Sequence, residues 1–402
     1  MHPMLKPALR RAWRERQSVQ FGVTGPVAVT LGPVDTATGA LLELLDGTRG
    51  LPLLREEARS LGLPDGQLDA LVGRLTAAGL LDDVTAGGPE AEALRRRTGA
   101  VDRLRPDLAA LSVVDPAPGG GLRRLVSRQA TRVQVRGAGR VGAAVAALLS
   151  ASGVGRVEVV EGGHTEPWDV APGGLPAEAV GERRDTAARR LVRAAAVLPA
   201  RAVAAGGRGR GAGPGSGSAG AVAARGPGGA RRGEPGLSLV VVCPRDGLAA
   251  HAPDPAAAAD WIATGTPHLY AGVIEATGMV GPLVLPGGTA CAGCLDRGRA
   301  DRDPGWPRLV AQWRSGGRRA PVPACDLSLA TAVAGTAAAH ALSFLDGELP
   351  VSAGARWEVS LPLLDWRRER IAPHLDCSCG AVGKSEGQDT PGRARSHETM
   401  AG

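Results

Sequence analysis

The sequence predicts an α/β protein: a doubly wound sheet with a metal-bearing extension, preceded by a small α+β domain. Three observations carry this reading. An alternating apolar segment, Arg132-Val-Gln-Val-Arg136, runs straight into a glycine loop, Gly137-Ala-Gly-Arg-Val-Gly142. A helical stretch at 139–151 and a second strand pattern, Arg156-Val-Glu-Val-Val160, complete a βαβ unit. Two close cysteine pairs, Cys291-Ala-Gly-Cys294 and Cys377-Ser-Cys379, close the same region downstream.

In chain order, residues 1–84 form the small domain. Strands Val19-Gln-Phe-Gly-Val23 and Val27-Ala-Val-Thr-Leu31 pair through Thr24-Gly-Pro26. Helices follow at 39–45, 51–61 and 67–78, the last with Leu68, Leu71, Val72 and Leu75 at helical spacing. A hairpin with three helices makes a winged-helix module. Residues 85–127 read as a polar, Arg-rich connector holding one short helix and a final strand. The doubly wound domain spans 128–382, with a helix at 180–196. The tract 199–236 is Gly, Ala, Arg, Pro and Ser, which buries too little apolar surface to order. It reads as a disordered insert where the next strand of the sheet belongs. The sheet resumes at Leu237-Ser-Leu-Val-Val-Val242. A helix at 254–264, the strand His268–Ile274 and a hairpin through Met279 to Leu285 follow. From 383 to 402 the polar tail also reads as disordered.

Composition bounds the function. A chain of 402 residues has room for two domains and a sizeable core. Arginine outnumbers lysine 45 to 2 and asparagine is absent, a mark of GC-rich coding, so the core must rest on Leu, Val and Ala with seven Trp. The net charge of +7 would suit nucleic acid, but six Arg against one Glu between Arg201 and Gly236 supply most of it. The remainder is near neutral, with no basic face interleaved with aromatics, which argues against a nucleic-acid partner. Met1 to Arg16 has no apolar core of a secretory signal. Leu327–Leu345 is apolar over 19 residues but small-residue-rich, with His340 inside, and reads as a buried helix rather than a membrane span. Six cysteines, four in close pairs, fit metal binding in a reducing cytoplasm better than a disulfide framework.

Chemistry needs these residue types at these positions. Glycines 137, 139 and 142 permit a tight turn, close approach of backbone to phosphate, and helix–strand packing. Glu161 closes the second strand, where a carboxylate accepts hydrogen bonds from ribose hydroxyls. A glycine loop without a ligand is the plain alternative, and the spacing does not separate NAD from ATP. Zinc takes four thiolates tetrahedrally, and a CxxC knuckle presents two of them. Cys377-Ser-Cys379 is tighter, so His374 is an alternative ligand, and four unrelated thiols are the other possibility. Cys243, at a strand end, reads as a core residue.

Taken in order, these features resemble the ThiF/MoeB family, related to ubiquitin-activating enzymes, across about 250 residues from 128 to 380. The matching features are the glycine loop, Glu161, Val180-Gly181 leading to Arg184, Asp246 after a sheet strand, and Gly281-Pro-Leu-Val-Leu-Pro-Gly287. The cysteine pairs, and Cys325-Asp326 before a small-residue helix, complete the set. The resemblance implies a Rossmann-like fold and ATP-dependent adenylation of the C-terminal carboxylate of a peptide or small ubiquitin-like protein. It places the phosphates at Gly137, Gly139, Arg140 and Gly142, the ribose at Glu161, and Mg²⁺ at Asp246. Arg184 stands where the family has a phosphate-contacting lysine, and Cys325 where some members carry a thiol for sulfur or thioester transfer. A buried helix-start cysteine is the alternative for Cys325. Cys291, Cys294, Cys377 and Cys379 would hold Zn²⁺, and a homodimer is implied. Residues 1–84 resemble the PqqD-like domains that hold leader peptides, on pattern and on the run Leu41-Leu-Glu-Leu-Leu-Asp-Gly-Thr48.

The chain departs from the family in three respects: the acid at 161 is Glu rather than Asp, the insert 199–236 displaces a strand bordering the site, and the stretch after the second strand differs. A Ser-Asn-Leu-x-Arg run that supplies an asparagine and an arginine to the phosphates is replaced by Asp169-Val-Ala-Pro-Gly-Gly-Leu175. Slow adenylation, use of another arginine such as Arg183, and loss of adenylation are all open consequences. Adenylation in a peptide-modification or sulfur-transfer pathway is therefore the first reading. The second is a catalytically degenerate relative that binds a leader peptide for a partner enzyme. An NAD-dependent oxidoreductase is a third, opposed by the paired cysteines and Asp246.

Overall fold

The computed structural model describes residues 1–198, 236–315, 323–382 and 399–400. The N-terminal domain contains strands β1 (Pro3–Leu5), β2 (Arg11–Glu15), β3 (Ser18–Phe21) and β4 (Val29–Leu31). Helices α1 (Thr36–Leu44), α2 (Leu51–Ser60) and α3 (Gln67–Ala77) follow, then β5 (Leu81–Asp83). The expected hairpin forms between β3 and β4, with Val19 opposite Leu31. The three expected helices are present within a few residues of their predicted ends. Strand β2 was not expected. All five of its residues are exposed, so it shows no apolar alternation, and it is held by pairing with β3. Val19, Phe21, Leu31, Leu41, Leu54 and Leu75 meet in the core of this domain. Asp35 starts α1 by accepting the Thr38 N–H at 2.7 Å.

The region 85–127 differs from expectation. In place of one short helix and a strand it forms α4 (Gly88–Arg95), α5 (Thr98–Arg103), α6 (Arg105–Val114) and α7 (Gly120–Gln129). Leu94, Leu104, Leu125 and Leu198 give these helices a core of their own. Each helix is short and contains at most one buried leucine, which is too few to show a 3.6-residue period in sequence. Lys6 Nζ donates to the carbonyls of Asp115 at 3.0 Å and Pro116 at 3.3 Å, clasping the first domain to these helices.

The third region comprises β6 (Arg132–Arg136), α8 (Arg140–Ala151), β7 (Arg156–Val160), α9 (Arg184–Ala195), β8 (Leu239–Val242), α10 (Leu248–His251) and α11 (Ala259–Ala263). Then come β9 (His268–Ile274), β10 (Thr277–Val284), α12 (Ala292–Arg302), α13 (Trp306–Ser315), α14 (Leu327–Leu345), β11 (Ala355–Ser360) and β12 (Asp365–Arg370). The predicted order holds as far as β10, except that the helix expected at 254–264 shortens to Ala259–Ala263 and that α10, α12, α13, β11 and β12 were not expected. Helix α9 starts at Arg184 rather than 180 because Gly181 has φ +87° and Arg183 is extended. The seven strands lie in the order β12-β11-β10-β9-β8-β6-β7. Strands β7, β6, β8 and β9 are parallel, and β9 to β12 form an antiparallel meander.

From β6 the chain moves to β7 on one side and returns to β8 on the other, which puts the topological switch point between β6 and β8. The expected disordered insert lies, but for Gly236, outside the described residues. Among the described residues, β7 forms that edge of the sheet. Helix α14 packs one face on α8 and on the sheet through Leu329, Val333, Ala337, Ala341 and Leu345, while Leu327, Ser328, Thr331, Ala332, Gly335 and Ala339 are exposed, so it is a half-buried helix rather than the fully buried one expected. The tail expected to be without structure lies outside the described residues but for Thr399–Met400, which form a two-residue strand, β13, parallel to β4.

Candidate nucleotide site and cysteine cluster

The glycine loop is fixed by close contact. Gly137 has φ +111°, and a Cβ there would lie 1.7 Å from the Cys243 carbonyl oxygen. A Cβ on Gly142 would lie 2.2 Å from the Gly137 oxygen. Neither position admits a side chain. Gly139 is the N-cap of α8, with no side chain capping that helix, so the first-turn N–H groups and the positive end of the dipole face the crevice.

Glu161 reaches back into this loop. Its Oε2 accepts the Ala138 N–H at 3.1 Å and its Oε1 accepts the Gly162 N–H at 2.8 Å. Arg184 is buried at the start of α9, 3.5 Å from Glu161. It donates Nε to Asp169 at 3.2 Å, Nη1 to the Gly162 carbonyl at 2.8 Å and Nη2 to the His164 carbonyl at 2.5 Å. Arg184 thereby ties down the segment that follows β7. Arg183 is exposed and paired with Asp185 at 3.2 Å.

Across the switch point, Asp246 is exposed just beyond β8, and its Oδ1 accepts the Leu248 N–H at 3.1 Å. A Cβ on the adjacent Gly247 would lie 2.0 Å from the Val273 oxygen, which locks this turn onto β9. The neighbouring Arg245 was missed by sequence reasoning. A Cβ on Gly139 would lie 3.2 Å from Arg245 Cγ, so the arginine stem lies across the glycine loop. Its guanidinium donates Nε to Asp169 at 2.6 Å, pairs with Glu166, and lies 5.7 Å from the Trp168 ring. Asp169 is buried and receives both arginines, as well as the Glu166 N–H at 2.9 Å through its turn. One arginine among 45 carries no signal in sequence; only its place over Gly139 does.

Arg140 donates to the Cys325 carbonyl at 2.7 Å, bringing the start of α14 against the start of α8. Asp326 caps α14 by accepting the Leu329 N–H at 3.0 Å. Burial raises the pKa of the half-buried Cys325 thiol, which favours the protonated form. Burial pushes the Cys243 thiol up to about 12, in keeping with the core role expected of it. Contacts thus join Gly137, Gly142, Glu161 and Arg184 around the glycine loop and Arg140 to Cys325, while Asp246 lies on the turn after β8 next to Arg245, whose stem covers Gly139.

The four remaining cysteines form a separate cluster. The sulfurs of Cys291, Cys294, Cys377 and Cys379 lie within 4.8 Å of one another. Cys291 is 3.5 Å from Cys377 and 3.9 Å from Cys294, and Cys294 is 3.5 Å from Cys379. A tetrahedral Zn²⁺ with Zn–S of about 2.3 Å has sulfur–sulfur edges of about 3.8 Å, so the donor set and spacing fit zinc. A Cβ on Gly293 would crowd Cys377 Sγ at 3.1 Å, which accounts for a glycine inside the knuckle. The Cys294 thiol is pushed down, first by the hydrogen bond from Cys291. His374 is not part of the cluster: its Nε2 is 2.9 Å from Asp301 and its Nδ1 accepts the Asp376 N–H.

No protein-family model and no curated protein matches the chain. Solved structures do. E. coli MccB crystallised with SeMet MccA has a TM-score of 0.62 at 13% identity, covering 94% of this chain and 99% of that one. E. coli MccB with ATP has 0.60 at 13%, over 94% and 99%. SeMet PaaA has 0.62 at 14%, over 91% and 99%. At such identity the likeness shows the fold alone, and that fold is a Rossmann-like α/β architecture similar to those of MccB and PaaA.

Proposed function

We propose that this chain adenylates the C-terminal carboxylate of a peptide with ATP. The observation that carries the proposal is the glycine loop held by Glu161 at the switch point of the sheet, where open α/β sheets bind nucleotides, with Asp246 on the turn that follows the adjacent strand β8. The similar folds include MccB crystallised with ATP and with MccA. In this reading the N–H groups of the glycine loop and α8 receive phosphate oxygens, with Arg140 at the same helix start. Glu161 turns from Ala138 to the ribose hydroxyls, and Arg184 holds the loop that carries Glu161's neighbours in place. Asp246 would hold Mg²⁺, which supplies charge neutralisation on the phosphates. A peptide carboxylate oxygen attacks the α-phosphorus, the bond from that phosphorus to the bridging oxygen breaks, and pyrophosphate leaves.

The four cysteines would hold Zn²⁺ as a structural tie between α12 and the segment after β12. The sheet β2–β4 is the proposed grip on the rest of the peptide, as in PqqD-like domains. A small ubiquitin-like protein is the other substrate this chemistry admits. A cytoplasmic homodimer working beside a modifying enzyme completes the proposal.

A second reading is favoured by one observation: Asp169 and Glu166 occupy Arg184 and Arg245. On that reading the fold presents a peptide to a partner enzyme without using ATP. ATP–pyrophosphate exchange with Mg²⁺ and candidate peptides separates the two. Peptide-dependent exchange supports adenylation; peptide binding with no exchange supports the scaffold.

A further inference from the structure

We infer that Arg245 meets the phosphate oxygens of the nucleotide in this chain, standing in for the arginine that the stretch 169–175 lacks; the inference rests on the adenylation proposed above. The four arginines near the loop differ in where they are placed and in how they are held. Arg184 is buried and engages each of its three nitrogens with Asp169 or a backbone carbonyl, so the fold fixes its guanidinium in place. Arg183 points outward to Asp185. Arg140, at the first turn of α8, gives one donor to the Cys325 carbonyl and keeps its buried Nε without a partner among the described residues. Arg245 alone among these four lays its stem over Gly139, at the N-cap of α8.

Its tethers differ in kind. Asp169 is buried and keeps Arg184 as a second partner, so it remains compensated when Arg245 shifts. Glu166 has a side chain 39% exposed, and an exposed pair of this sort is weakly held. A triphosphate brings several negative charges into the same crevice and displaces Glu166 from the guanidinium, while Nε stays on Asp169. The planar fork then presents its Nη groups to phosphate oxygens, the geometry at which arginine excels. Asp169 therefore has an aiming role: the stretch that lost its own arginine contributes the carboxylate that holds a replacement from the end of β8.

The test is ATP–pyrophosphate exchange by the full chain, with thermal melting run on each variant. Arg245→Met keeps the stem over Gly139 and removes the charge. We expect exchange kcat to fall about 10²–10³-fold, the loss typical of removing one transition-state donor, with an unchanged melt. Arg245→Lys should recover part of it. Should the Met variant melt early, Glu166→Gln provides the second arm: freeing the guanidinium from its exposed tether should lower KM for ATP severalfold. Wild-type exchange with Arg245→Met within about twofold of it overturns the role of Arg245 and leaves adenylation standing. An unaltered or raised KM for ATP in Glu166→Gln overturns it equally. No exchange by the wild type overturns the adenylation reading and this inference with it.

Discussion

Arg128 and Asp346 form a two-pronged ion pair between residues 218 positions apart, Nε to Oδ1 at 2.7 Å and Nη2 to Oδ2 at 2.6 Å. Their side chains are only 7% and 4% exposed. Arg128 ends α7, Asp346 caps α14, and Arg128 Nη1 also reaches the Ser152 carbonyl beyond α8 at 3.3 Å. One pair thus pins three helix ends under the sheet that carries the crevice. Breaking such a pair from one side leaves a buried charge uncompensated, at about 3–5 kcal/mol. Asp346→Asn should therefore lower the urea midpoint strongly, and a loss below about 1 kcal/mol would show that the pair is not holding these helices.

The cysteine cluster predicts a metal dependence separate from catalysis. Cys291→Ser should lower the zinc content measured on purified protein and, with it, the melting temperature, because a structural zinc site contributes folding free energy. His374→Ala should leave zinc content at the wild-type level, since His374 is engaged by Asp301 rather than by the sulfurs. Equal metal content in the two variants would remove Cys291 from the ligand set.

Stability should also fall on the acid side through His251. Its pKa is lowered from 6.5 to about 4, first by burial and then by the Arg299 and Arg356 cations beside it. Glu369 and Glu358 pair with those arginines, and Trp306 faces the imidazole edge-on. A histidine with a depressed folded pKa takes up its proton more readily in the unfolded chain. Its share of stability is complete above about pH 6.5 and is lost as pH falls toward 4, at no more than about 1.4 kcal/mol per pH unit. His268 and His340 are lowered by burial in the same direction, so the comparison must be made against a His251 variant. Denaturant melts at pH 7 and pH 4.5 should show a smaller drop for His251→Gln than for the wild type, by roughly 2 kcal/mol after allowing for partial exposure. Parallel pH profiles for the two proteins would show that His251 titrates normally.

How much was legible depended on the kind of signal each element carries. Strands β6 to β10 are apolar runs bounded by glycine or proline, and they fall where the pattern put them. The glycine loop declares itself because Gly137 and Gly142 sit where a Cβ would meet backbone oxygen. The helices of 88–129 and the exposed strand β2 were hidden, since tertiary contact rather than local periodicity holds them. The cysteine cluster was readable from spacing alone, though only the fold could choose Cys379 over His374. Asp169, Glu166 and Arg245 were unreadable for a different reason. Their meaning comes from charges brought together across 76 and 79 residues, and no spacing rule encodes that.

Asp246 gives the sharpest test of the crevice itself. Its carboxylate is exposed, its Oδ1 accepts only the Leu248 N–H among the described residues, and the turn beneath it is locked by Gly247 against Val273. Asp246→Asn keeps the oxygen that accepts that N–H, so the turn, the melt and the zinc content should all persist. What it removes is the negative charge needed to hold a divalent cation over the phosphates. Removing a charge that acts on the transition state costs about 10²–10³ in rate for a single donor, and more where a metal is lost with it. Peptide-dependent exchange should therefore fall below detection in Asp246→Asn at any Mg²⁺ concentration, with peptide binding intact. Exchange at the wild-type rate would place the metal elsewhere and remove Asp246 from the chemistry.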